Sequence, residues 1–154
     1  MENNTRFAAN RRLDVVCLGR FGVDFYAQQI GARLERRELA SEEILFRRGE
    51  PGDRVFVLAK GSVTMMSEGD GKQGRRLASF APGVVFGEAA MLDGGGRTAT
   101  GVADEASVVY MLTRESMEVL RREDSALALA VLRNIARQLS ARLRFANRTI
   151  DALR

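Results

Sequence analysis

The chain has 154 residues, a formal net charge of +4 and 45% apolar residues, which suits one globular domain with a hydrophobic core. It contains no histidine and a single cysteine, Cys17. The missing histidine removes the most frequent general base, serine-type catalytic triads and most zinc sites. The lone cysteine excludes an internal disulfide bond and fits a reducing compartment, the cytoplasm. We therefore expect neither an enzyme nor a metal site.

The sequence offers no membrane-spanning segment, because no stretch approaches the roughly 18 consecutive apolar residues that such a helix needs. Residues 1–10 lack the apolar centre of a signal peptide. The positive charge comes almost entirely from arginine, since Lys60 and Lys72 are the only lysines. This small excess of positive charge does not identify a nucleic-acid partner, and the sequence shows no separate helix that would contact the bases of DNA. The sequence therefore predicts neither membrane insertion nor DNA binding.

The N-terminal third has two interpretations. Residues 13–34 resemble the opening strand and sugar-contacting turn of ribokinase-type carbohydrate kinases, where the aspartate at the Asp24 position would bind sugar hydroxyls. The remainder of that fold, with its catalytic aspartate, has no counterpart here, so kinase activity is not expected. The alternative is a leading helix over residues 23–36, with apolar residues such as Ile30 and Leu34 facing inward. We favour the helix.

Short apolar segments separated by close turns predict a mainly β architecture from residue 36 to residue 113. Pro-Gly pairs at 51–52 and 82–83 are strong turn signals. This spacing is typical of a sandwich or barrel. The strands are expected at 43–46, 55–58, 63–67, 75–80, 98–103 and 107–112.

After Thr113 the apolar period becomes helical. Thr113 is expected to cap one helix, and Asp124 or Ser125 a second, longer one. The second helix carries an amphipathic stripe, and its opposite, arginine-rich face is expected to be solvated. That face carries Arg133, Arg137, Arg142, Arg144 and Arg148. The stripe fits a helix folded over the strands as well as a homodimer seam through residues 125–153. Its members are Leu132, Ile135, Leu139, Leu143, Ala146, Ile150 and Leu153.

The most informative motif is Phe-Gly-Glu-Ala-Ala-Met at residues 86–91, followed after five residues by Arg-Thr-Ala-Thr at 97–100. Gly87 lets the backbone approach a ligand closely, and the residues after it favour a short helix whose first N–H groups attract an anion. Arg97 supplies a planar guanidinium group whose paired N–H donors match phosphate oxygens. Glu88 would repel a phosphate, so its useful role is to accept a hydrogen bond from a sugar hydroxyl. The motif predicts a site for a ribose and a phosphate.

This motif resembles the phosphate-binding cassette of cyclic nucleotide-binding domains, and the resemblance covers about residues 34–150. It implies that cAMP or cGMP is the ligand, with no cofactor. In that family the glutamate takes the ribose 2′-hydroxyl. The arginine takes the exocyclic phosphate oxygens together with nearby backbone N–H groups. The ligand-binding residues implied here are Gly87, Glu88, Ala89, Arg97, Thr98 and Ala99.

A second block extends the resemblance. Residues 49–53, followed by the apolar run 55–58 and by Gly61, are similar to the early strand, turn and strand of the family's β-roll. The implied fold is mainly β: an antiparallel, jelly-roll-like β-roll with flanking C-terminal helices. One departure is Gly101, where the family usually has a branched aliphatic residue; a glycine in a strand predicts a bulge.

The amino-acid sequence of residues 103–150 is also similar to that of regulatory domains appended to bacterial sulfate-permease-type transporters and some bacterial glutaminases. This implies a sensor within a larger effector protein, with the terminal helix as a lid on the base. The alternative is a protein-interaction or dimerisation module with a degenerate nucleotide pocket. The expected organisation is a leader over 1–33, the β-roll over 34–123 and a lid or dimerisation helix over 124–154.

Overall fold

The computed structural model describes residues 34–67 and 74–153, and within them eight strands form two four-stranded sheets. All strand pairings are antiparallel, and three helices accompany the sheets in the same residues. This confirms the mainly β fold with C-terminal helices. The strands are β1 (Glu35–Leu39), β2 (Ile44–Phe46), β3 (Arg54–Lys60), β4 (Val63–Met66), β5 (Arg76–Phe80), β6 (Val85–Phe86), β7 (Thr100–Ala103) and β8 (Ser107–Thr113).

One sheet has the order β1-β8-β3-β6 and the other the order β2-β7-β4-β5. The central strand β3 is buried on both faces, which explains its unbroken apolar run. Val55 and Val57 point to one side and pack in a cluster with residues of the helices. Phe56 and Leu58 point to the other side, into the core between the sheets. Because successive side chains point to opposite faces of a strand, β3 contributes residues to both cores.

The helices are α1 (Glu88–Asp93), between β6 and β7, followed by α2 (Arg114–Glu123) and α3 (Ser125–Ala152). The Thr113 side chain accepts a hydrogen bond from the Ser116 N–H at 3.0 Å. Asp124 accepts one from the Leu127 N–H at 3.0 Å. Both helix starts are thus confirmed, with Asp124 rather than Ser125 as the second cap. Such caps are each worth about 1 kcal/mol.

The stripe of α3 is covered only at Ile135 and Leu139. Ile135 is buried and Leu139 half-buried against the helix-side core, whereas Leu143, Ile150 and Leu153 are exposed. No helix in residues 34–67 or 74–153 combines the length and the apolar character needed to cross a membrane.

The helix expected over residues 23–36 is wrong at its described end. Glu35 begins β1 and lies opposite Met111 of β8, and Leu39 at the other end lies opposite Ser107. Strand β8 offers its free edge along the whole of β1, and this backbone pairing outweighs a weak local helix pattern. The preceding residues, including the kinase-like segment with Asp24, lie outside the described part of the chain.

The bulge expected at Gly101 does not lie in its own strand. β7 pairs in regular register with β4, where Gly101 lies opposite Met65, and the register shift is in the other neighbour, β2, between Ile44 and Phe46. A Cβ atom at Gly101 would lie 3.1 Å from both Met65 Cε and Phe46 Cζ. The position is a glycine because neighbouring core side chains already fill the space of a branched residue.

Candidate ligand-binding site

Gly87 forms the turn that leads from β6 into α1. Its backbone has φ 73° and ψ 13°, a left-handed conformation that favours glycine. A Cβ atom here would lie 2.8 Å from Arg97 Nη1 and 2.9 Å from Phe56 Cδ2. Both the conformation and the space therefore require glycine. The turn brings the start of α1 next to the guanidinium of Arg97.

Arg97 is buried, with only 5% of its surface exposed. Its Nη1 donates to the Gly87 carbonyl at 2.6 Å, and its Nη2 donates to the Arg54 carbonyl at 3.0 Å. Its Cζ lies 4.6 Å from the ring centroid of Phe46 and 5.1 Å from that of Phe56. The guanidinium is thus held by two carbonyls and two aromatic faces.

The charge of Arg97 is not neutralised by an ion pair with any residue that the structure describes, and its Nε has no hydrogen-bond partner there. Burial lowers the pKa of this guanidinium below its ordinary value, although the nearby carboxylate of Asp53 partly opposes that effect. A buried cation without a counter-ion is costly in free energy. The arrangement therefore favours the arrival of an anion.

The loop at residues 49–53 supports Arg97 from the opposite side. The Gly49 N–H donates to the Arg97 carbonyl, and the Arg97 N–H donates to the Glu50 carbonyl, both at 2.8 Å. A Cβ atom at Gly52 would lie 2.2 Å from Ala90 Cβ and 3.0 Å from Arg97 Cζ. Glycine at this position lets the loop, α1 and the arginine come together.

Glu88, the first residue of α1, is 6% exposed. Its Oε1 accepts a hydrogen bond from Arg142 Nη1 at 2.7 Å. Its Oε2 is buried and has no partner in the described part of the chain. Arg142 comes from α3 and also donates to the Val85 carbonyl. One oxygen of the carboxylate is therefore engaged, and the other is buried without a partner among the described residues.

A cavity of about 220 Å³ joins these groups. Its wall combines the two charged side chains with the apolar side chains of Phe80 and Leu77, and Arg142 closes one side. The cavity offers a cation, a hydroxyl acceptor and an apolar surface within one space. All six predicted site residues line it: Gly87, Glu88, Ala89, Arg97, Thr98 and Ala99.

A larger cavity of about 430 Å³ lies between α1, α2 and α3. Its Arg114 donates to the Met91 carbonyl at 2.8 Å and to the Ala90 carbonyl at 3.3 Å. These carbonyls belong to the last turn of α1, where a cation is favourable. The arginine therefore caps a helix, which makes this cavity a weaker candidate for a ligand.

Residues 36–124 match the family model described as the cyclic nucleotide-binding domain. The chain belongs to this family. It is 34% identical to the cyclic AMP receptor protein of Thermus thermophilus over 77% of this chain and 53% of that protein. It is 30% identical to glutaminase 1 of Bradyrhizobium diazoefficiens over 81% of this chain and 20% of that enzyme. The domain thus spans about half of the receptor protein and about a fifth of the glutaminase.

Solved structures agree with the sequence relatives. The crystal structure of the Thermus thermophilus catabolite activator protein superposes with a TM-score of 0.70 at 30% identity, over 88% of this chain and 62% of that one. A cyclic nucleotide-binding domain from Methylobacillus flagellatus gives a TM-score of 0.73 at 24% identity, which concerns the fold alone. The β-roll of this cyclic nucleotide-binding domain is therefore the family's fold.

Sequence reasoning expected the terminal helix as a lid but missed the contact that Arg142 of α3 makes with the site. Arg142 was expected on the solvated arginine face, and this is wrong, because it binds Glu88. The signal was present: Arg142 follows Ile135 and Leu139 at helical spacing, so it lies on the inward stripe of the helix. The turn at Gly52 was predicted, but its contact with Ala90 was not.

Gly52→Ala is expected to weaken both the fold and the site of this cyclic nucleotide-binding domain. The new methyl group would meet Ala90 Cβ, so α1 or the loop must shift, at a cost of roughly 1–3 kcal/mol in the free energy of unfolding. Ala90→Gly removes the opposing methyl group and costs about 1 kcal/mol alone. Denaturant unfolding of the two single variants and the double variant measures their coupling. Additive losses, with no partial rescue in the double variant, would contradict the close approach.

Proposed function

We propose that this domain is a sensor that binds a 3′,5′-cyclic nucleotide in the 220 Å³ cavity, with the exocyclic phosphate at Arg97 and the ribose at Glu88. The observation that carries the proposal is the buried guanidinium of Arg97 without an ion-pair partner in the described residues, beside a carboxylate oxygen that also lacks a partner there. Membership of the cyclic nucleotide-binding family supports the same ligand class.

The phosphate end of the site follows from charge and geometry. Arg97 retains N–H groups beyond the two that bind carbonyls, and the first turn of α1 at Glu88 and Ala89 borders the same cavity. A charge-assisted hydrogen bond to phosphate is worth roughly 1.5–3 kcal/mol. An anion here would also offset the cost of burying the cation.

The sugar and base follow from the other walls. Glu88 Oε2 is an acceptor for a ribose 2′-hydroxyl. The ring of Phe80 and the exposed side chain of Leu77 provide an apolar surface for a purine. Thr98 is exposed and lines the cavity, and we propose that its hydroxyl contacts a purine substituent. We propose that both cAMP and cGMP bind.

The output is proposed to lie in a larger assembly. The curated relatives carry this domain as a part of longer proteins, namely a cyclic AMP receptor protein and glutaminases. We propose that this chain likewise regulates an effector in the cytoplasm, with no catalytic activity of its own and no DNA-binding role. Ligand capture would shift the population of α3 positions, because Arg142 joins that helix to Glu88.

Replacing Arg97 is expected to remove most cyclic nucleotide binding. Arg97→Ala should weaken binding by about 100-fold, from the loss of a charged hydrogen-bond pair. Arg97→Lys keeps the charge and loses the fork, so it should weaken binding by about tenfold. Isothermal titration with cAMP and cGMP, and with 5′-AMP as a non-cyclic control, provides the measurement.

The matched control is Arg121→Lys, the same change at an exposed arginine of α2 paired with Glu118. Its affinity should equal that of the unmodified protein. Circular dichroism of each variant separates lost binding from lost folding. Unchanged affinity in a folded Arg97→Ala variant would exclude this site.

Thr98→Ala tests the base end. A guanine in the syn conformation presents a 2-amino donor near this hydroxyl, and adenine has none. One neutral hydrogen bond is worth roughly 0.5–1.5 kcal/mol, so cGMP should bind a few-fold to about tenfold more weakly, with cAMP unchanged. Titration of both nucleotides at one salt concentration measures the difference. An equal loss for both would show that Thr98 does not distinguish the bases.

We also propose a homodimer through residues 125–153, because the stripe of α3 is exposed at Leu143, Ile150 and Leu153. Leu143→Glu places a charge on this stripe and should favour the monomer. Arg148→Glu introduces a glutamate on the opposite face of the helix and should leave the dimer intact. Sedimentation velocity provides the measurement; a monomeric unmodified protein would refute the seam.

A further inference from the structure

The first half of α3 carries two exposed rows of side chains. Leu129 and Leu132 lie three positions apart on one side of the helix, and 49% and 38% of their surfaces are exposed. Arg133 and Arg137 lie four positions apart on the adjacent side, and both are exposed. These four residues form the outer surface of α3, which faces away from the core in which Ile135 is buried.

The two arginines of the outer surface are not neutralised by the domain. Within residues 34–67 and 74–153, neither side chain has an ion pair or a hydrogen bond. The sequence contains no aspartate or glutamate from residue 125 to residue 150, and Asp151 is the first acid of the helix. Positive charge on a helix without nearby acids of its own attracts a negatively charged partner and repels a positively charged one.

An apolar cavity borders the leucine row. The cavity of about 430 Å³ between the three helices is lined by Leu132 and by Leu92 of α1, which is also exposed. Its lining includes three buried side chains as well, those of Met91, Met117 and Ala128. Exposed leucines beside a concave apolar lining form the kind of pocket that an apolar side chain of another polypeptide fills.

The polar groups of the cavity are engaged within the domain. Arg114 donates to carbonyls of α1, and Arg121 pairs with Glu118 at 3.0 Å. Asp93 accepts a hydrogen bond from the Gly95 N–H at 2.8 Å. The cavity therefore supplies the apolar part of this face, and the two arginines of the outer surface supply its unpaired charge.

We infer that the cavity and the outer surface of α3 together form a docking site for an acidic amphipathic helix of a partner protein. An apolar side chain of that helix enters the cavity beside Leu132, and carboxylates on its adjacent side bind Arg133 and Arg137. A helix presents such groups on adjacent sides when leucines and glutamates each recur at spacings of three and four residues. The docking site does not require a nucleotide and is independent of the proposed function.

Three other occupants fit the observations less well. The α3 helix of a second copy carries no acid between residues 125 and 150 that could pair with the arginines. A nucleic acid would contact the arginines through its phosphates and leave the leucines exposed. A bilayer surface is broad and flat, whereas Leu92 and Leu132 border a cavity that only a protruding side chain can enter.

The probe is a fluorescein-labelled synthetic peptide of about 12 residues, with leucines and glutamates on adjacent sides of one helix. The reference peptide has the same composition, with these residues distributed around the helix. Fluorescence anisotropy with the full chain at about 0.15 M salt measures both dissociation constants. The amphipathic peptide should bind at least about tenfold more tightly than the reference peptide.

Charge reversal tests the arginines. The double variant Arg133→Glu, Arg137→Glu should weaken binding of the amphipathic peptide by about tenfold or more. The matched control is Arg144→Glu with Arg148→Glu, the same reversal at the same spacing on exposed arginines of the same helix. These arginines lie roughly 16 Å further along α3, beyond the screening distance, so the affinity should change by less than about threefold.

A peptide with lysine in place of each glutamate gives the complementary test. It should bind the Arg133→Glu, Arg137→Glu variant more tightly than the unmodified protein, because the charges of both partners are exchanged. Leu132→Asn tests the cavity and should weaken binding of the amphipathic peptide several-fold. If circular dichroism shows that this variant does not fold, replacing the leucines of the peptide by alanine removes the same contact and should give the same loss.

Equal affinity for the two peptides, equal losses in the two charge-reversal variants, or no loss when the leucine contact is removed would overturn the inference. Tighter binding of a DNA duplex of about 20 base pairs, or of phosphatidylglycerol vesicles, than of the amphipathic peptide would assign this surface to a nucleic acid or a membrane instead. A change of oligomeric state in the Arg133→Glu, Arg137→Glu variant, measured by sedimentation velocity, would show that a second copy covers it. Nucleotide titration of the unmodified protein decides the proposed function separately.

Discussion

The buried charge of Arg97 is the constraint on which the site depends. Two carbonyls and the faces of Phe46 and Phe56 hold the guanidinium, while no ion pair within the described residues compensates it. Such a cation is stable only because its surroundings are rigid and place polar groups next to its N–H groups. The same arrangement costs free energy in folding and, under the function we propose, provides affinity for a phosphate. Stability and the proposed binding are therefore opposed at this residue.

Small residues make the close approach around the arginine feasible. Gly87 allows the turn into α1, and Gly52 allows the loop from the other side to reach Ala90. The backbone of Arg97 pairs with that loop in both directions. The site is thus built from three segments that are distant in sequence, and a single methyl group at their meeting point would separate them. This explains why the glycines that the turns require lie in the same short motifs as the residues proposed to bind the ligand.

Strand β6 carries the connection between the site and α3. Its inner edge pairs with β3, where Phe86 lies opposite Phe56, and its outer edge is bound by side chains of α3. A shift of Glu88 is therefore expected to change the position of α3 against β6. Since the second half of α3 is exposed, a partner protein can contact the helix there and respond to its movement. A sensor needs this kind of coupling between a binding site and an accessible element.

The sequence by itself determined the turns, most strands, the helix caps and the six candidate site residues. These features depend on local chemistry: a glycine at a left-handed turn, an acid and an arginine around a short helix, a change of apolar period after Thr113. The tertiary structure alone decided that β8 recruits residues 35–39 as a strand, and that Arg142 reaches Glu88 across 54 positions of the chain. Periodicity places a residue on a face but does not specify what that face meets, because long-range contacts depend on how whole elements pack.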